Sequence, residues 1–284
     1  MRSLALLLVL TAHVHAEPCG GAIMDDVAKL ADPDLDGRAP GSDGDRAARA
    51  LVKARFECLG LTTSEQAFGD TANVIGILAG EDPDQIVVVG AHHDHLGKGH
   101  LGANDNASGV AAMLAIAKTL AGDKPHRTIA FVAFGDEERG EIGSKFLVAH
   151  PLEALPLAHI VEYINLDMVG SYSSRGWVAA MGAFASQPAR KLLDKIKHPK
   201  LDVLAGGRAS RSDHEAFCKQ GIPYVFFWTP DDRCYHDTCD TADRIDQVHM
   251  TKIATLAGEL VKQLAATPLD LAASRAKLGC GQPR

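Results

Sequence analysis

Apolar, β-branched runs bounded by Gly, Asp and Pro alternate along the chain with segments whose apolar positions recur at helical spacing. Strands are predicted at residues 73–78, 85–90, 128–134, 160–166 and 222–228. Helices are predicted at 43–59 (stopped by Gly60), 108–120 (ended by Gly122), 143–149 (stopped by Pro151), 188–196, 213–219 (capped by Gly221) and 251–265. The strand runs are mostly apolar and do not alternate regularly with polar residues, so both faces of each are expected to be covered. Such strands separated by helices predict an α/β fold: a mostly parallel central sheet with helices on both faces, in a single domain over residues 17–284. The sequence contains no internal repeat, low-complexity tract or linker that would divide it.

Residues 1–16 stand apart from this alternation. Met1-Arg2-Ser3 precedes an apolar run from Leu4 to Leu10, and Val14 and Ala16 place small residues at −3 and −1 of a cut after Ala16. The pattern is that of a signal peptide, so a mature chain starting at Glu17 is expected to be exported to the periplasm or the medium. The run falls well short of the roughly 20 apolar residues that a membrane span needs. With 46% hydrophobic and 23% charged residues, the composition excludes a disordered or collagen-like chain. The net charge of −7 argues against a nucleic-acid or anionic-membrane partner, which would want a basic face. Export also admits disulfides among the six cysteines, Cys19, Cys58, Cys218, Cys234, Cys239 and Cys280. Cys234 and Cys239 are expected to close a small local loop, whereas Cys58, inside a helical pattern, reads as a buried free thiol. The absence of a C-x-x-C pair makes a thiolate zinc site unexpected.

In an open α/β sheet, ligands bind at the carboxyl ends of the strands. His92-His93-Asp94-His95 follows the second predicted strand, and Gly135-Asp136-Glu137-Glu138 follows the third. Asp167 ends the fourth, and Tyr235-His236-Asp237 lies beyond the fifth. Asn104-Asp105-Asn106 precedes the helix at 108–120. Five sets of imidazoles and carboxylates are therefore expected on one edge of the sheet. Hydrolases that hold two metal ions need this mixture, carboxylates to offset charge and bridge, and neutral imidazoles to complete the coordination.

These stretches resemble the co-catalytic zinc exopeptidases of the bacterial leucyl aminopeptidase type, a family that also contains the animal-type glutaminyl cyclases. The resemblance is carried by Leu35-Asp36-Gly37-Arg38-Ala39-Pro40-Gly41, His92-His93-Asp94, Gly102-Ala103-Asn104-Asp105-Asn106-Ala107-Ser108-Gly109 and Glu137-Glu138. It continues through Asn165-Leu166-Asp167-Met168-Val169-Gly170, Arg211-Ser212-Asp213-His214 and Tyr235-His236, in the family order. The related family with a separate dimerisation domain fits worse, and no protease-associated domain is inserted between Leu78 and Gln85.

The resemblance implies that His92, Asp105 and Asp167 hold one metal ion and Asp105, Glu138 and His236 a second, with Asp105 bridging. It implies Glu137 as general base, Asp94 as the residue orienting His92 through its other ring nitrogen, and Tyr235, with Arg211, as oxyanion partners. Asp213 and His214 are read as lying behind the ligands or in the pocket wall. Among the neighbours, His93 points opposite to His92 in an extended segment and reads as a packing residue. His95 and His100 read as loop or rim residues, and Asp136, Asp237 and Asp240 as solvated or capping charges.

The function implied is that of an exported dinuclear zinc aminopeptidase acting on peptides with a free amino end. Cobalt and manganese suit the same N/O ligand set. A one-zinc, glutaminyl-cyclase-like acyltransferase, a carboxypeptidase or dipeptidase, and a non-enzymatic zinc-binding domain remain open on the same framework. Side-chain preference is expected to be set by pocket-wall loops around residues 177–184. The oligomeric state is not legible.

Overall fold

A computed structural model describes residues 19–266 and 271, apart from 185, 198, 199, 210 and 232. The expected signal segment, its cut after Ala16, and Cys280 lie outside the described residues. Eight strands form one sheet: β1 Thr62–Phe68, β2 Thr71–Leu78, β3 Asp82–His92, β4 Arg127–Phe134, β5 Ile160–Leu166, β6 Val178–Met181, β7 Val203–Ala205 and β8 Tyr224–Trp228. Their order across the sheet is β1-β2-β4-β3-β5-β8-β6-β7. The four central strands, β4, β3, β5 and β8, are mutually parallel, and antiparallel pairings join β2 to β4 and β6 to β8 at the flanks.

The helices are α1 Ile23–Leu30, α2 Asp43–Cys58, α3 Gly109–Leu120, α4 Ile142–Ala149, α5 Tyr172–Arg175, α6 Gln187–Leu193, α7 His214–Cys218 and α8 Gln247–Ala266. They divide between two cores, one on each face of the sheet. Along β3, Val87 and Val89 face the core built with α1, α2, α3 and α8, while Ile86 and Val88 face the core built with α4 and α7. A strand's side chains alternate in direction, so a continuous apolar run serves both cores at once. No helix among the described residues is long and apolar enough to cross a membrane.

The elements absent from the expectation are those that pattern cannot reveal. β1, Thr-Thr-Ser-Glu-Gln-Ala-Phe, is an edge strand, mostly exposed, that inserts only Gln66 and Phe68 and is held to β2 by antiparallel pairing. β6 and β7 span four and three residues at the opposite edge. α1 supplies Val27 and Leu30 to the larger core.

Cys58 corrects a second expectation. It is exposed and forms a disulfide with Cys19, Cα–Cα 5.2 Å. The buried face of α2 runs through Val52 and Phe56, and two residues past Phe56 the helix has turned about 200°. Cys234 and Cys239 are joined as expected, and Cys218 is also disulfide-bonded.

Candidate metal centre

Parallel β3, β4, β5 and β8 all end at the same edge, so the loops that follow them meet there. His92 is the last residue of β3, Asp167 follows β5, and Glu137 and Glu138 lie just past β4. His236 sits in the loop closed by the Cys234–Cys239 disulfide. Asp105 lies in a tight turn at residues 103–108 ahead of α3. That turn is held by Asp240, whose carboxylate accepts from the backbone N–H groups of Asn104 (2.7 Å) and Asp105 (2.9 Å).

All five residues expected to bind metal converge. The two carboxylate oxygens of Asp105 face different imidazoles: Oδ1 is 3.3 Å from His92 Nε2, and Oδ2 is 3.2 Å from His236 Nε2. Asp167 Oδ1 is 3.4 Å from His92 Nε2, and Glu138 Oε2 is 3.0 Å from His236 Nε2. Donors bound tetrahedrally at about 2.0–2.1 Å stand roughly 3.3 Å from one another, so these separations match the spacing that zinc ligands require. Asp167 Oδ1 is moreover buried without a hydrogen-bond partner, a costly state for an anionic oxygen unless a cation faces it. His92, Asp105 and Glu138 also satisfy a compact ligand grouping by themselves. The donor set fits two borderline-soft dications sharing Asp105.

The electrostatics agree. Burial alone would raise Asp105, but the bonds from His236 and His92 hold it well below the usual carboxylate range. The same bonds, to Asp105 and Glu138, raise His236 to about 10. Burial pushes Glu137 up to about 10, with Asp213, Asp167 and Asp94 adding to the effect against His92. Protons and a cation compete for these lone pairs, so a bound dication displaces the protons that the bare cluster holds. Several non-glycine residues here adopt the left-handed backbone region: Asp136 (φ 62°), Met168 (54°), Arg211 (70°) and His236 (55°). Such strain persists only where surrounding structure over-determines it, and it clusters at functional sites.

The other expected residues take distinct places. Asp94 is fully buried and accepts from the N–H groups of Glu137 (3.0 Å) and Glu138 (3.2 Å). His92 Nδ1 lies 3.2 Å from the backbone oxygen of Asp94 and 3.7 Å from its carboxylate, so Asp94 steadies the Glu137–Glu138 turn more directly than the His92 ring. Tyr235 is 54% exposed, its ring stacked on His236 at 3.9 Å. Arg211 lines the cavity in front of the cluster, about 730 Å³ in volume. Met181, Ala209, Phe226 and Trp228 give that cavity an apolar wall; of the 177–184 stretch, Met181 lines it. Asp213 is buried and raised to about 7 by that burial, and His214, stacked on Phe226 and packed at a tilt on Tyr224, is lowered to about 4 by its own.

His93 turns away from the cluster to Asp45, 3.0 Å from Oδ1, as expected of a packing residue. His100 contacts the Gly97 carbonyl, Asp136 pairs with Arg139, and Asp237 caps the Cys239 N–H. His95 corrects its reading as a rim residue. It is fully buried, and its Nδ1 lies 2.6 Å from Glu138 Oε1. Arg38 was visible only as part of a motif. Its buried guanidinium donates to four carbonyls, those of Leu30, His93, Leu101 and Gly102, and so binds both the His92 loop and the Asp105 loop to α1.

The sequence profile of peptidase family M28 matches residues 73–261. The chain belongs to this family. This M28 chain is 31% identical over 242 residues to leupeptin-inactivating enzyme 1 of Streptomyces exfoliatus, across 76% of this chain and 54% of that protein. It is 32% identical over 208 residues to aminopeptidase YwaD of Bacillus subtilis, across 66% and 43%. The chain thus spans about half the length, or less, of these curated relatives. Among solved structures it is similar to BSAP, a zinc aminopeptidase from Bacillus subtilis, with a TM-score of 0.76 over 91% of this chain and 97% of that one, at 18% identity. It is also similar to a glutaminyl cyclase from Bacteroides thetaiotaomicron, with a TM-score of 0.69 over 85% and 97%, at 19% identity. At those identities the likeness is one of fold.

Proposed function

We propose that this M28 chain is an exported, dinuclear zinc aminopeptidase that hydrolyses the first peptide bond of peptides with a free amino end. The observation that carries the reading is the Asp105 carboxylate, whose two oxygens face two separate imidazole–carboxylate pairs, His92 with Asp167 and His236 with Glu138. The relatives named for aminopeptidase activity support the reaction class.

When bound, zinc supplies Lewis acidity and lowers the pKa of the water it holds. Glu137, at the cavity wall, takes the proton of the attacking water and passes it to the departing amine, which is general acid–base work. Asp94 fixes the backbone of Glu137 and Glu138 by accepting from both their N–H groups, and the adjacent carboxylates that this turn presents serve different tasks. Tyr235 and Arg211 offer an O–H and a guanidinium at the cavity for the oxygen of the scissile carbonyl. The apolar wall of Met181, Phe226 and Trp228 receives the side chain of the residue released.

The test is metal content together with turnover of peptides bearing free and blocked amino ends. Two zinc ions per chain, with hydrolysis only of free-amine peptides, is the expected result. Asp105→Asn should lose both ions or bind them weakly, since a neutral amide would not supply the charge that offsets two neighbouring dications. One zinc per chain with cyclisation of N-terminal glutamine would replace this reading with that of a glutaminyl cyclase.

A further inference from the structure

Each terminal carboxylate of the cluster has one oxygen already engaged. Glu138 Oε1 is 2.6 Å from His95 Nδ1, while Oε2 faces His236. Asp167 Oδ2 accepts from Ser212 Oγ at 2.8 Å, while Oδ1 faces His92. Ser212 is itself directed: Asn165 Nδ2 donates to its oxygen (2.8 Å), and the Tyr163 hydroxyl donates to Asn165 Oδ1 (2.6 Å). Because Asn165 donates to the Ser212 oxygen and the Asp167 carboxylate can only accept, the one Ser212 proton is committed to Asp167. His95, Ser212, Asn165 and Tyr163 are all fully buried, so water does not compete for these bonds.

The backbone makes room for both arrangements. A Cβ at Gly102 would stand 2.6 Å from the His95 ring, and one at Gly90 would stand 2.4 Å from the Tyr163 hydroxyl. A side chain at Gly102 would push His95 off Glu138, and one at Gly90 would displace the Tyr163 hydroxyl that directs Asn165 toward Ser212.

We infer that His95 and Ser212 are positioning residues, each occupying one oxygen of a terminal carboxylate so that the other oxygen alone is presented to the metal. The inference rests on the dinuclear reading above. It assigns the two holding groups to different ions: His95 to the one shared by Glu138 and His236, Ser212 to the one shared by His92 and Asp167. Partners of this kind typically govern metal affinity by 10–100-fold.

The experiment strips the full chain of metal with a chelator and titrates zinc against a chromophoric competitor. The native chain should take up two ions. His95→Leu should keep one at native affinity and weaken the other by about 10–100-fold, and Ser212→Ala should do the same. His95→Asn, whose amide donor falls near the Nδ1 position, should come within a few-fold of native, and His95→Gln, which lacks a donor there, should not. If His95→Leu fails to fold, the Asn and Gln pair decides. In an Asp167→Asn background, adding Ser212→Ala should barely change the remaining ion, whereas adding His95→Leu should weaken it. Bonds that serve only the fold would lower the melting temperature of the metal-free chain without this site selectivity. Native affinity for both ions in both variants, or weakening of the same ion by both, overturns the inference. A native chain that takes up one ion overturns the dinuclear reading instead, and the holding groups then stand or fall on whether either substitution weakens that ion.

Discussion

Removing the Arg38 guanidinium should cost more than any other single change at the base of the site. Its four hydrogen bonds run to carbonyls at 2.5 Å (Leu30), 2.6 Å (Leu101), 2.8 Å (His93) and 2.9 Å (Gly102), with no exposed surface. Hydrogen bonds to a charged group contribute about 1.5–3 kcal/mol each. Part of that is offset by desolvation, which lowers the guanidinium to about 10 against the favourable pull of Asp94, Asp240, Asp105 and Glu138. Breaking a buried charged network of this size costs about 3–5 kcal/mol, the loss expected for Arg38→Met. Met at that position inherits the same left-handed φ of 56°, so no backbone strain is released in exchange. Arg38→Lys should recover less than half of the loss, because one ammonium cannot reproduce a planar fork serving carbonyls in three segments. Urea denaturation of the chelator-treated chain measures the effect without contribution from metal binding. Repeating it with zinc should widen the gap, since both ligand loops lose their anchor. A loss below 1 kcal/mol in the metal-free chain would refute the view that Arg38 holds the two loops together.

Glu137→Gln should lower kcat by roughly 10²–10⁴-fold with metal content still at two, whereas Glu138→Gln should lose one ion and regain activity with excess zinc. Metal loss from the first and pure turnover loss from the second would mean that the roles are exchanged. Opening the Cys234–Cys239 loop, whose ends are five residues apart, with paired serine substitutions should cost at most about 2 kcal/mol in urea melts but weaken the ion bound through His236. Unchanged zinc affinity would limit that disulfide to a structural role. Glu162, fully buried with Ser186 Oγ on one oxygen, is pushed up to about 8 by burial, so the folded chain binds its proton more tightly than the unfolded chain. Its contribution is full below about 4.5 and falls by up to about 5 kcal/mol as pH rises to 8. Glu162→Gln should therefore gain stability relative to native between pH 5 and pH 8.5, and parallel denaturation profiles at the two pH values would contradict this.

The α/β class and the five buried strands are legible in the residues alone, because a strand covered on both faces carries a nearly continuous apolar run, as from Ile86 to Val89 in β3, where alternation would mark a strand with one wet face. The sequence also located the chemistry, because parallel strands bring their carboxyl ends to one edge and the imidazoles and carboxylates fall just past those ends. What it could not supply were features whose energy comes from partners distant in the chain. β1 is polar and exists because β2 offers a ladder of hydrogen bonds. Cys58 finds Cys19 only once α1 and α2 are packed, 39 residues apart in sequence. Three residues after His92 in a loop, His95 carries no periodicity that places it inward, and its burial against Glu138, 43 residues on, is decided by where β3 and β4 end. Ser212 and Asp167 are likewise 45 residues apart, and their bond depends on α7, which Ser212 precedes, packing against β5. Residue type and spacing are local and can be read directly, whereas the orientation of a carboxylate is set by whichever buried group the fold brings to its other oxygen.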